Sequence, residues 1–183
     1  LNGTYPLTNY SSPVQVGSLT DWESIGGGHS HYLATRTNGT LWAWGSGGYG
    51  RLGIGNALNV SSPTQVGSLT TWSNASCGQE SSHAIKDDGT LWGWGYSNYV
   101  GGVGDNTLTN RSSPVQIGAL TTWSKVINAL HGGHAIKTDG TLWGWGESRF
   151  EGRIGDGAKI VRSSPVQIGA LTDWADIANC GRK

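Results

Sequence analysis

The stretch Asp139-Gly140-Thr141-Leu142-Trp143-Gly144-Trp145-Gly146 occurs in two further versions in this 183-residue chain, as Asn38 to Gly45 and Asp88 to Gly95. Asp-Gly or Asn-Gly supplies the positive-φ residues that a short hairpin turn needs. The residues that follow alternate. On a strand, the two tryptophans of each copy therefore share one face, and leucine and a small residue share the other. Each copy reads as a tight turn running into a strand. Aromatic pairs at a fixed interval mark a repeat, which has to be recognised before any residue is read as a site.

Other markers keep the same interval. Ser-Ser-Pro-x-Gln-(Val/Ile)-Gly begins at Ser11, Ser61, Ser112 and Ser163, in steps of 50, 51 and 51 residues. Trp22, Trp72, Trp123 and Trp174 follow with the same steps. The spacing from Trp22, Trp72 and Trp123 to Leu41, Leu91 and Leu142 is always 19, whereas Gly45 to Gly53 is eight and Gly95 to Gly104 and Gly146 to Gly155 are nine. The length change therefore falls just after the tryptophan pair, as expected of a surface loop. The repeats run approximately over 11–60, 61–111 and 112–162, flanked by partial ones at 1–10 and 163–183, in a single unit.

In the third repeat the pattern predicts strands at Val115–Gly118, from Trp123 through Val126, at His134–Lys137 and at Leu142–Trp145. No stretch keeps a helical period over three turns. Four antiparallel strands in ~50 residues make one blade of a β-propeller. The fold class is thus all-β, with about three and a half repeats forming a partial ring. Residues 1–10 read as the tail of an earlier repeat, and Trp174 to Lys183 as the start of a later one. With no methionine in the chain, these mid-repeat ends imply that residues are missing from at least the N-terminal side. Three coverings for an open ring stay in play: the rest of a larger chain, other copies, or another protein.

Twelve basic and twelve acidic residues cancel. The clustered lysine and arginine of a nucleic-acid footprint is missing, so no nucleic-acid partner is expected. No apolar run approaches the ~20 residues of a membrane span, so no membrane insertion is expected. Cys77 and Cys180 fall five and six residues after their repeat tryptophans and read as unpaired small core residues. His29, His31, His83, His131 and His134 bring no second set of ligands, so no metal site is expected. Asp105 and Asp156 follow Gly104 and Gly155 in loops with too few oxygens for calcium, and are assigned to turns. No nucleophile elbow or phosphate loop occurs, so no catalytic residue and no cofactor is assigned. Of six Asn-x-Ser/Thr sequons, at Asn2, Asn9, Asn38, Asn59, Asn74 and Asn110, the one at Asn38 is explained by its turn.

The order Trp-x-x-Ile, glycine, histidine, Ala-Ile-Lys, Asp-Gly-Thr-Leu-Trp-Gly-Trp-Gly, Gly-x-(Leu/Ile)-Gly resembles the regulator of chromosome condensation repeat over essentially the whole chain. That resemblance implies a propeller, usually of seven blades. The wording Arg-Ser-Ser-Pro-Val-Gln-Ile-Gly-Ala-Leu-Thr at Arg111 and Arg162 is similar to bacterial and bacteriophage members, which implies a virion or fibre component. There are departures. The repeat's histidine stands at His31, but Ser81 and Gly132 hold the matching places, with His83 and His134 displaced by two. Gly101-Gly102-Val103-Gly104 lacks the long polar residue found at Arg51 and Arg153. The first pair has Ala43 where the others have Gly93 and Gly144.

Trp22, Trp42, Trp44, Trp72, Trp92, Trp94, Trp123, Trp143, Trp145 and Trp174 are assigned to the blade core, because repetition in every blade serves architecture. Function is expected in the unequal loops Ser46–Arg51, Tyr96–Gly102 and Glu147–Arg153. Their Tyr49, Arg51, Tyr96, Tyr99, Arg149, Phe150 and Arg153 are the candidate partner-binding residues. The expected function is a non-catalytic structural and interaction module on a virion, fibre or cell surface, gripping a protein or glycan. The alternatives are a regulatory propeller for a small GTPase or chromatin, and a propeller appended to an enzyme.

Overall fold

The computed structural model describes residues 12–149 and 152–178. Its strands form three separate four-stranded antiparallel sheets. The first contains β1 (Trp22–Gly27), β2 (His31–Arg36), β3 (Leu41–Gly45) and β4 (Val60–Gln65), in that order across the sheet. The second repeats the order with β5 (Trp72–Cys77), β6 (Ser81–Lys86), β7 (Leu91–Gly95) and β8 (Arg111–Gln116), and the third with β9 (Trp123–Asn128), β10 (Gly132–Lys137), β11 (Leu142–Gly146) and β12 (Arg162–Gln167). β1 packs beside β5 and β5 beside β9. The first strands therefore share the inner side, and the fourth strands form the outer edges.

The sheets are offset from the sequence repeats. The Ser-Ser-Pro strand expected to open each repeat instead closes the preceding sheet: β8 pairs with β7, with Gly93 opposite Val115. It also starts earlier than expected, at Arg111, and carries Pro114 inside it. Proline is tolerated there because the strand is an edge and its register with β7 is broken between Gly93 and Gly95. The same offset explains the two flanks. Pro13–Val16 repeats the wording of Pro114–Ile117 but is not a strand, since no third strand stands beside it among the described residues. Trp174 likewise sits outside any strand and is 38% exposed, which corrects its assignment to the core.

The Asp-Gly-Thr-Leu-Trp wording is explained by one hydrogen-bond relay. The Thr90 amide and hydroxyl both donate to Asp88 Oδ1, at 2.9 and 2.6 Å, and Trp92 Nε1 donates to the Thr90 hydroxyl at 2.8 Å. Asn38-Thr40-Trp42 and Asp139-Thr141-Trp143 repeat it. Of each Asx-Gly pair only the glycine has positive φ. Gly39 has a second constraint, because a Cβ there would strike the Thr70 carbonyl as the chain enters the next sheet.

Packing divides the tryptophans by role. Trp42, Trp92 and Trp143 are half-buried and lie edge-on to Trp22, Trp72 and Trp123 of their own sheets, at 5.9–6.0 Å between centroids. Lys86 and Lys137 lie over the Trp92 and Trp143 rings, at 3.7 and 3.6 Å. The second tryptophan of the later pairs crosses to the preceding sheet. Trp94 Nε1 donates to the Arg51 carbonyl at 2.9 Å, and Trp145 meets the His83 ring edge-on at 5.0 Å. Trp94 and Trp145 are fully buried, each such side chain contributing roughly 1.5–3 kcal/mol. Trp44 is only half-buried, with Tyr32 stacked on it at 5.5 Å.

Cys77 is a free thiol buried between the first two sheets, as expected, and burial raises its pKa strongly. Cys180, Asn2, Asn9 and the partial repeat at 1–10 lie outside the described residues. Among the described residues no group of three or more His, Cys, Asp and Glu is placed to hold a metal. Asp105 and Asp156 do turn work as expected. Each accepts backbone amides two residues on, and each pairs with the first residue of the next outer strand, Arg111 or Arg162, at 2.6 and 2.7 Å.

Candidate interaction surface

The unequal loops join the third strand of each sheet to the fourth, so all three emerge at one end of the molecule. The turns between first and second strands share that end: Tyr96 N donates to the Glu80 carbonyl and Glu147 N to the His131 carbonyl, at 2.9 and 3.1 Å. A polar clamp closes the neck of each loop. Asn59 Oδ1 accepts the Gly47 amide, and Asn110 Oδ1 accepts the Ser97 and Asn98 amides. In the third loop Ser148 serves instead, its Oγ donating to the Ala158 carbonyl at 3.2 Å. These bonds give the sequon residues Asn59 and Asn110 a structural task.

The candidates divide into two groups. Tyr49 and Tyr99 are 49% and 68% exposed. Tyr49 packs on Tyr96 of the next sheet with centroids 4.7 Å apart. Burial, followed by the charge of Glu80 and the phenols of Tyr49 and Tyr99, raises the pKa of Tyr96, so these four groups converge. Arg149 Nη2 donates to the Tyr99 carbonyl at 3.3 Å. Its guanidinium is held by both Glu147 oxygens at 2.6–3.0 Å, which keeps that carboxyl below its usual range. Tyr49, Tyr96, Tyr99 and Arg149 therefore form one strip across three loops.

Arg51 does not belong to this strip. It is 6% exposed and points inward. Nε donates to the Gly48 carbonyl, and Nη1 donates to Ser30 Oγ and the Gln79 carbonyl at 3.1 Å. Its own carbonyl accepts Ser82 Oγ and Trp94 Nε1. Arg51 ties the first sheet to the second, and its assignment as a partner contact is corrected. Arg153 is half-buried, and Phe150 lies outside the described residues.

One signal in the sequence went unread. Tyr49 and Tyr99 both stand four residues after the glycine that ends their tryptophan pair, as does Phe150 in the sequence of the third repeat. Tyr49 and Tyr99 have φ of 60° and 63°. For a residue with a Cβ this left-handed conformation costs roughly 1–2 kcal/mol. Glycine would adopt it freely.

Sheets of this order, packed side by side through their first strands, are propeller blades. Residues 38–85 match the model of the regulator of chromosome condensation (RCC1) repeat, and residues 22–51 match a second model of the same repeat. The chain is 32% identical over 150 residues to the ultraviolet-B receptor UVR8 of Arabidopsis thaliana, covering 79% of this chain and 33% of that one. Similar solved structures include human WBSCR16, with a TM-score of 0.70 and 22% identity over 80% of this chain and 37% of that one. Prp20p of Saccharomyces cerevisiae gives 0.73 and 19%, over 83% and 39%. Residues 22–85 thus match RCC1-type repeats, the three sheets form part of a propeller ring like those of the RCC1-type structures, and the chain spans about a third of the length of the UVR8 receptor.

Proposed function

We propose that this chain is a non-catalytic interaction module that holds a partner on the loop end of its blades, on a virion, fibre or cell surface. One observation carries the reading: the loops of neighbouring blades meet as one strip, Tyr49–Tyr96–Tyr99–Arg149, half-buried at Tyr96 and exposed at the other three. Tyrosine and arginine are enriched among residues that dominate binding energy. Loops on a rigid scaffold are where binding residues concentrate. Prp20p, similar in fold, has binding properties to Gsp1p and histones, and yeast RCC1 (Prp20) has been seen with Kap60 bound. That likeness supports partner binding as the module's task. The balance of twelve basic and twelve acidic residues favours a partner other than nucleic acid.

The test is partner capture with the full-length protein and with Tyr96→Ala, Tyr99→Ala and Arg149→Ala variants. Each substitution is expected to weaken capture at least tenfold without unfolding the protein. Unchanged capture by all three would remove the loop end from the reading. Labelling of intact particles or cells with an antibody to these loops tests the surface location, and staining only after lysis would count against it.

A further inference from the structure

Resting on that reading of the loop end, we propose that the strip formed by Tyr49, Tyr96 and Tyr99 is a platform for an uncharged glycan chain. Three observations lead there. Tyr49 and Tyr99 hold one register in successive repeats and are both exposed. A surface that presents the same ring at the same place in successive blades fits a ligand whose own units repeat. Sugar rings do so, each offering a flat C–H face that stacks on an aromatic ring.

The second observation is conformational. Both tyrosines sit in the left-handed region, at a turn position suited to glycine, in loops that contain glycine on either side or nearby. Neither ring belongs to the buried clusters between the sheets. Exposed side chains kept in a disfavoured conformation outside the core are candidates for contact with something outside the fold.

Charge gives the third. The cations near the strip are already engaged: Arg149 by Glu147, and Arg51 by carbonyls and Glu80 inside the molecule. What the strip offers is therefore phenol rings and hydroxyls, with the exposed Asn98 at its margin. Among the described residues an anionic ligand would find no uncommitted positive charge there. A neutral chain of rings and hydroxyls matches both the apolar faces and the polar edges.

Affinity electrophoresis of the full-length protein through native gels containing hydroxyethyl cellulose, laminarin or galactomannan tests the proposal. Retardation is expected in at least one gel. Tyr49→Gly with Tyr99→Gly should abolish it, with roughly a tenfold loss for each ring. Tyr99→Trp, which keeps a ring, should retain it. The glycine variants also separate binding from folding. If the tyrosines serve a ligand, glycine relieves the backbone and the melting temperature is unchanged or higher. A lower melting temperature would return both residues to a structural role and overturn the proposal. Retardation that survives both glycine substitutions would overturn it too. If no gel retards the protein but Tyr99→Gly weakens capture of a protein partner, the glycan falls and the interaction surface stands. If neither measurement responds, both readings fall.

Discussion

Leu33, His83 and His134 occupy one place in successive second strands, and the residue across from each changes with it: Ala43, Gly93 and Gly144. The histidine ring explains the exchange. A Cβ on Gly93 would sit 2.9 Å from His83 Cδ2 and 2.6 Å from the Val103 carbonyl, so the ring and the small residue are chosen together. Of the displaced histidines, His83 is thus a core residue and His134 a half-buried one. His83 Nε2 lies 3.0 Å from the Val103 carbonyl, and His134 Nε2 3.1 Å from that of Ile154. His31 is buried elsewhere in the strand, with Nε2 2.9 Å from Ser82 Oγ. Gly93→Ala alone should cost about 1–3 kcal/mol by overpacking. His83→Leu with Gly93→Ala should recover part of that, read as a positive coupling in a double-mutant cycle of urea midpoints.

The same histidines make stability depend on pH. Burial lowers the pKa of both His31 and His83 to about 4. In the unfolded chain they take up protons near 6.5, while in the fold they stay neutral. The unfolded state therefore binds more protons between these values, and stability falls as pH drops through that window, by on the order of 3 kcal/mol per histidine. Urea midpoints measured from pH 7 to pH 4 should fall accordingly. His83→Gln should flatten the slope. The burial of His83 was not legible from spacing alone, because its displacement reads as loss of a motif until the facing Gly93 is seen as its complement.

At the scale of strands and loops, the first blade differs from the other two in one internal exchange. Asp105 and Arg111, like Asp156 and Arg162, pin the long loop to the outer strand through an ion pair whose carboxylate is buried. The first blade has Ile54 and Val60 in those places, packed against the core. One fastening is ionic and the other apolar. Removing a single partner leaves a buried charge unmatched, whereas replacing both with packed aliphatic residues is often neutral. Arg111→Val should therefore destabilise by roughly 2–4 kcal/mol, because it strands the buried Asp105 carboxylate, and adding Asp105→Ile should restore most of it in denaturant unfolding. Strand identity and period were readable because side-chain alternation and turn chemistry are local. The pairing frame was not, because the hydrogen-bond partner of Ser112–Gln116 depends on geometry that no spacing records. Arg51 was misassigned for a related reason: an arginine in a variable loop looks solvated until the neighbouring sheet is placed around it.

For the molecule as a whole, the contacts between blades decide how it holds together. Each blade meets its neighbours through a few shared devices, and Arg51 is the most connected of them between the first two. In repeat architectures stability is close to a sum of such neighbour terms. Arg51→Met should cost about 3 kcal/mol, because it leaves the Gln79 and Gly48 carbonyls unpaired near a buried site. Hydrogen exchange should show the first blade, strands β1–β4, losing protection before the third. Equal loss in all three would mean that the blades open as one unit. Trp44, half-buried beneath Tyr32, and the fully buried Trp94 and Trp145 offer fluorescence reporters of the same difference.

The offset between repeat and sheet has a genetic consequence. An unequal crossover between the Ser-Ser-Pro segments at Ser61 and Ser112 would delete one 51-residue repeat, yet leave β3 followed by an outer strand of nearly the same wording. Every sheet in the product would keep four strands. Duplication by the same route would insert a complete blade. A chain organised this way can change its number of blades by recombination at its outermost strands, while the long loops between third and fourth strands are shuffled intact.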